Sequence, residues 1–408
     1  MAEDSNPGVR TRLLRDHPAF RRYWLARVAS VVGDGAAEAA LLLYAAGLRH
    51  GGRSVGLVLL ATSVPRFFGP LLGAIADRFD RRTVLICADL GQAVGYGVIA
   101  ITLPPLPLLL ALVSVSAVFA TTFGVAARAA VPGLLAPTLW TRGNALLGLA
   151  RNLQVVFGPA IGGILTGVAG TRWALAFNAA TFLGSAVLLA GVPKLPAGER
   201  GAGMHGFVTD TREGLRYAFG HPTIRAVTIL LLAGVAFAAL DNLALVFLAR
   251  GPLQAGPVGY GVLAGSFGVG MVAASITVLR IADRVRPGAA VVTGWVLSGA
   301  GLLATGLMPV IALAVLTQLV GGAGNGLANI AEETLLQQSV EPEYLGRVGG
   351  LLTSAAFLGS SIAYAAGGFF VEAASPRTVL VVAGCGVLLV CLLVQGALRK
   401  AVAQVNSA

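Results

Sequence analysis

Charge is scarce in this 408-residue chain. Only 12% of its residues are Asp, Glu, Lys or Arg, against about 25% in a typical soluble domain, and 56% are apolar. A water-soluble fold this apolar cannot cover its own surface, so that class is excluded. Cysteine and histidine are nearly as rare. Cys87, Cys385 and Cys391 sit inside apolar runs without metal-ligand spacing, which makes them small packing residues and leaves no metal site indicated. His17, His50, His205 and His221 are scattered outside those runs, which argues against a membrane-embedded enzyme built on clustered His, Asp or Cys. The phosphate-cradling pattern Gly-x-x-x-x-Gly-Lys-Ser/Thr is missing, so neither ATP nor any other cofactor is implied. The first residues lack a short apolar core followed by a small-residue cleavage site, and no removable signal peptide is expected. Net charge is +11, but the arginines stand at the ends of apolar runs without interleaved aromatics, which argues against a nucleic-acid partner.

What is present is a series of apolar runs, each of about 20 residues, the length that crosses a hydrocarbon core. Long runs without period-2 alternation select helices, since only helices and closed barrels satisfy their backbone in lipid. The runs predict spans at 23–48, 54–76, 83–103, 106–127, 145–168 and 174–192, then at 227–249, 258–279, 289–308, 310–331, 348–371 and 378–398. The second six repeat the first. Ile75-Ala76-Asp77-Arg78 recurs as Ile281-Ala282-Asp283-Arg284, and at a constant offset Gly56 matches Gly261, Pro137 matches Pro342, Arg142 matches Arg347 and Gly162-Gly163 match Gly367-Gly368. An even number of spans per repeat makes the halves parallel, related by an axis along the membrane normal.

Between the second and third spans stands Gly69-Pro-Leu-Leu-Gly-Ala-Ile-Ala-Asp-Arg-Phe-Asp-Arg-Arg82. It resembles the signature loop of the major facilitator superfamily, with Gly73, Asp77, Arg78, Arg81 and Arg82 in place. Asp80 stands where the family usually has glycine, a departure similar to the macrolide and siderophore exporter branch. The resemblance covers nearly the whole chain. It implies an all-α polytopic membrane protein of 12 transmembrane helices in two pseudo-symmetric six-helix bundles, 1–192 and 226–408, joined by a linker loop at 193–225. It also implies a gating role for the loop, docked against the helix that starts near Gly346-Arg347. Asp77, Arg78, Arg81, Arg82, Asp283, Arg284 and Arg347 are the gating candidates. Basic residues set the orientation. With the N-terminus inside, 21 of 29 fall on the inner side, while Arg49, Arg53, Arg172, Arg250 and Arg377 are the outer five and Arg27, Arg66 and Arg151 lie in spans. The expectation is a multi-pass, monomeric plasma-membrane protein with both termini and the central loop cytoplasmic.

Acids inside spans need a reason, because each costs roughly 2.5–3.5 kcal/mol on insertion scales. Asp34 and Glu38 are spaced i,i+4 on one face of the first span, and Asp241, followed by Asn242, lies near the equivalent place in the seventh. The first and seventh helices line the central cavity in the resembled family. Asp34, Glu38, Asp241 and Asn242 are therefore expected at a substrate and proton cleft, with Arg66 as a cation at similar depth to Asp34. Such acids can take up and release protons. Asp89 is expected nearer the inner rim with Arg81 and Arg82, and Glu332 and Glu333 in an inner gate or loop network. Gly158-Pro159-Ala160-Ile161-Gly162-Gly163 resembles the antiporter motif of proton-coupled exporters. Physically it is a bendable helix able to pack closely. These features predict a proton-coupled exporter of drug- or siderophore-like small molecules working by alternating access, with the bilayer, the substrate and protons as its partners. A proton-coupled importer of the same fold and a non-transporting membrane sensor are the alternatives.

Overall fold

The computed structural model describes residues 13–76, 78–197, 216–281 and 285–405. The gating candidates Asp77, Asp283 and Arg284 lie outside the described residues, as does the middle of the central loop, 198–215. Among the described residues the secondary structure is helical throughout, with no strand. In the first repeat the helices are α1 (Pro18–Ala46), α2 (Gly51–Phe67), α3 (Gly69–Ala76), α4 (Arg81–Thr102), α5 (Leu106–Leu134), α6 (Trp140–Val168) and α7 (Thr171–Ala190). In the second they are α8 (Pro222–Ile229), α9 (Val235–Ala238), α10 (Leu240–Arg250), α11 (Gly256–Ile281), α12 (Pro287–Leu307), α13 (Ile311–Ser339), α14 (Leu345–Ala373) and α15 (Pro376–Val405). Several run past the predicted spans: α5 continues to Leu134 and α13 to Ser339. A helix keeps its hydrogen bonds beyond the hydrocarbon, where hydropathy no longer reports it.

Among the described residues, eleven helical stretches are long and apolar enough to cross a membrane. The predicted second span is the twelfth, and it is broken into α2 and α3. Pro70 has no N–H to give to the carbonyl of Arg66, and Phe68 instead donates a tighter bond to Pro65 O at 3.1 Å. The helix restarts at once, with Pro70 in its first turn, where the missing donor costs nothing. The seventh span is also interrupted. A single π-turn, Leu230–Gly234, joins α8 to α9, and a turn at Ala239 precedes α10. Gly359 of α14 closes on this π-turn, because an added Cβ there would meet the Leu232 carbonyl.

Close packing divides the chain into two compact units: Met1–Leu41 with Val64–Gly203, and Leu42–Ser63 with Met204–Ala408. The first has its core in Phe20, Tyr23, Leu85, Phe123 and Leu189. The second is built on Ile224, Leu230, Val291, Trp295, Val348 and Val387. Large apolar side chains such as Val168, Ile101 and Leu279 are at least 74% exposed, as a lipid-facing surface requires. Segment 42–63 comes from the first repeat yet packs within the second unit. Gly52 and Gly56 meet the backbone of Gly368 and Tyr364, Arg53 pairs with Glu372 at 2.8 Å, and Arg250 donates to Leu43 O at 3.0 Å.

Candidate functional site

In the first unit the candidate acids stand on one turn of α1, held from two sides. Gly33 faces α7, where a Cβ would strike Thr181 Oγ1 and come within 2.5 Å of Asn178 Oδ1. Gly35 faces α6: its added Cβ would lie 2.9 Å from Gly158 Cα, and one on Gly162 would strike the carbonyl of Ala36. The Gly-Pro-x-x-Gly-Gly stretch therefore serves as a backbone-to-backbone seat for the very turn that carries Asp34 and Glu38. Only residues without side chains allow that approach. Asp34 is half-buried and Glu38 exposed. Arg27, Glu38, Asn178 and Arg66 are the groups acting on Asp34, and Arg66 is the cation acting on Glu38. Arg27 thus takes the place expected for Arg66 as the main cation beside Asp34. Its guanidinium lies 5.1 Å from the Phe123 ring centre. Arg66 is exposed in the last turn of α2, two residues before the break.

Asp89 departs from expectation. It does not join Arg81 and Arg82 at the rim but is fully buried inside the unit, with Ser185, Asp34 and Arg27 acting on it. Asn178 and Ser185 are equally buried, and Gln92 is 2% exposed. Asn178 and Ser185 carried no signal in the sequence, since an amide or hydroxyl within an apolar run looks the same whichever way it points.

In the second unit Asp241 opens the first turn of α10, just after the turn at Ala239. Gln318 Nε2 of α13 donates to Asp241 Oδ1 at 3.1 Å, and Asn242 Nδ2 donates to Tyr364 Oη of α14 at 2.9 Å. Gln318 is 1% exposed, and its carbonyl oxygen has no partner among the described residues. Gly367 supports this turn as Gly162 supports Asp34: a Cβ there would lie 2.7 Å from both Leu240 and Leu243. Tyr364 stands where the first repeat has Pro159. Glu332 accepts a bond from Trp295 Nε1 of α12.

The described part of the signature loop is fastened to its own unit. Asp80 caps α4, accepting from Thr83 N at 2.9 Å, while its other oxygen accepts from Leu195 N at 2.8 Å. Arg81 N donates to Leu195 O at 2.9 Å. Arg82 donates to Ala190 O and Arg22 to Gly191 O, so two cations sit at the C-terminal end of α7. Arg78 is exposed. Arg347 lies over Tyr344, which stacks on Tyr217 at 4.7 Å.

The family model described as transmembrane secretion effector matches residues 14–407. The enterobactin exporter EntS of Citrobacter koseri is 28% identical over 396 residues, covering 95% of this chain and 94% of that protein. The enterobactin exporter EntS of Salmonella typhimurium is 29% identical over 397 residues, 95% of each. Among solved structures, the nucleoside transporter NupG superposes with a TM-score of 0.73 at 14% identity, over 93% of this chain and 98% of that one. The human organic anion transporter MFSD10 superposes with a TM-score of 0.64 at 19% identity, over 96% and 100%. At these identities the two structures speak for the fold alone.

Proposed function

The chain belongs to the transmembrane secretion effector family of the major facilitator superfamily, and on that premise we propose that it is a proton-coupled exporter of siderophore- or drug-like small molecules. One observation carries the reading: the relatives matched over 94–95% of their length are named as exporters of a siderophore. The geometry of the first unit supports it. A secondary exporter needs a group that changes charge where cargo and protons alternate, and it needs that group held rigidly. Asp34 and Glu38 supply the charge, and the grip of α6 and α7 on Gly33, Gly35 and Ala36 supplies the rigidity.

In this mechanism Asp34 takes a proton from outside, loses its charge and so lowers the cost of the occluded, water-poor state. It releases the proton inside, and the return step carries cargo outward. Asp241, Asn242, Gln318 and Tyr364 form the polar counterpart in the second unit and contact cargo. Asp77, Arg78, Arg81, Arg82, Asp283, Arg284 and Arg347 act at the inner rim as gating residues. The protein works as a multi-pass plasma-membrane monomer with both termini cytoplasmic. Everted vesicles loaded by a pH gradient test the assignment. Asp34→Asn should cut pH-driven transport of an identified substrate by about tenfold or more while leaving substrate exchange at equal pH nearly unchanged. Full coupling in that variant would remove Asp34 from the proton path.

A further inference from the structure

Asp89 is the charged group that this mechanism leaves unused. It is 0% exposed, and neither carboxylate oxygen has a hydrogen-bond partner among the described residues. Around it stand Asn178 and Ser185 of α7, both 0% exposed, whose Nδ2 and Oγ atoms are likewise without partners. Gly33 presses α1 onto Asn178, which brings the adjoining Asp34 to the same enclosure. The Ser185 hydroxyl is the neighbour able to turn onto Asp89, and a buried carboxylate supplied so sparsely is a costly way to hold a negative charge, so something must compensate it.

The charges on every packed element leave the set incomplete. On α1, Arg27 and Asp34 act on Asp89, while Glu38 acts on Asp34. Arg66 of α2 acts on Glu38 and Asp34. The remaining charges on α1, α5 and α7 are Arg21, Arg22, Arg128 and Arg172, all exposed toward helix ends. Glu38 and Arg66 are exposed, as is Arg151 of α6, and Arg142 of α6 is half-buried. Asp34 and Asp89 thus share Arg27 as the cation that acts on both.

We propose that Asp89 is a second proton-carrying carboxylate, the inner station that exchanges the driving proton with Asp34. In the step, the O–H bond of the Asp34 carboxyl breaks and one forms at an Asp89 oxygen. Asp34 is left as carboxylate, and no oxidant or further reactant enters. Asn178 and Ser185 supply the polar lining in which either acid can stand. The division of labour is physical: Asp34 is half-buried and meets the changing environment, whereas Asp89 keeps the proton away from water while the protein changes state. This inference rests on the proton-coupled reading, but its test does not depend on transport.

The full-length protein in lipid nanodiscs, taken through a pH step, is followed by infrared difference spectroscopy in the carboxylic-acid C=O region. The wild type should show a band that disappears as pH rises. Asp89→Asn should abolish it, Asp89→Glu should shift it, and Asp34→Asn should retain it. A band unchanged in both Asp89 variants would overturn the proposal. A band lost on exchanging choline chloride for sodium chloride at fixed pH would make the occupant a sodium ion and overturn it equally. In vesicles, Asp89→Asn should lower pH-driven efflux by about tenfold yet keep substrate exchange, and Asp89→Glu should restore part of the coupling. Normal coupling in Asp89→Asn would overturn the role. Full coupling in Asp34→Asn would overturn the exchange between the two acids, whatever Asp89→Asn does. An infrared band without any transport would count against the exporter reading alone.

Discussion

At the scale of single residues, Asp80 shows how one departure from a family pattern acquires a job. A glycine there could turn the chain but could neither cap α4 nor hold Leu195. Asp80 does both with its two oxygens. Substituting an N-cap costs about 0.5–2 kcal/mol, and the bond to Leu195 adds to that because its acceptor is charged. Asp80→Ala should therefore lower thermal stability by several degrees, about the shift expected for a loss of this size, and should leave equilibrium substrate binding unchanged. Stability equal to the wild type would mean that the two bonds are replaced by water at no cost. Asp89 teaches the opposite lesson, since nothing local distinguishes it. Its neighbours in sequence are an alanine and a leucine in an ordinary amphipathic stretch, and only the rotation of α4 turns it inward.

At the scale of elements, close approach of backbones holds the acid-bearing turns. The seat of α1 on α6 exists because Gly35, Gly158 and Gly162 have no side chains. Gly162→Leu should push the two helices apart, at an overpacking cost of about 1–3 kcal/mol or more, and should abolish transport along with tight packing. Gly148→Ala, on the same helix with open space around its Cα, is the matched control and should leave transport intact. A transport-active Gly162→Leu protein would show that the seat is not required. The tie between Arg53 and Glu372 is a weaker element. The side chains are 46% and 23% exposed, and a pair of that kind contributes about 0–1 kcal/mol. Thermal unfolding of Arg53→Ala should show a loss within that range, and the swapped pair Arg53→Glu with Glu372→Arg should recover it. A larger loss would point to the stacking of Arg53 on Phe369 at 4.7 Å as the stronger contact.

At the scale of the whole molecule, the asymmetry of basic residues predicts an orientation with both termini inside. In a background without native cysteines, Gly220→Cys should resist a membrane-impermeant thiol reagent applied to intact cells, and Arg49→Cys should react. Both positions are exposed, and a Cβ at Gly220 meets open space, so access to reagent and not burial decides the result. The reverse labelling pattern would invert the topology. The two repeats also use one design twice with different chemistry. Each sets a small residue against the acid-bearing turn, Gly162 on Ala36 and Gly367 on Leu240 and Leu243. The first repeat then leaves its acids among charges, while the second satisfies Asp241 with Gln318 and Asn242 with Tyr364.

The sequence by itself determined the helical membrane class, the repeat, the family and the acids at Asp34, Glu38 and Asp241. Hydropathy and charge are properties of segments, and lipid enforces them segment by segment. It also carries the break in the second span, because Pro70 within that apolar run cannot donate to the carbonyl of Arg66. Tertiary structure alone decided which polar residues face one another. Asp89 beside Ser185 rather than Arg81, Arg27 rather than Arg66 as the main cation near Asp34, and Gln318 on Asp241 all depend on how each helix is rotated about its axis. Rotation is set by the packing of small residues on neighbouring helices, and a one-dimensional pattern of apolar letters does not contain it.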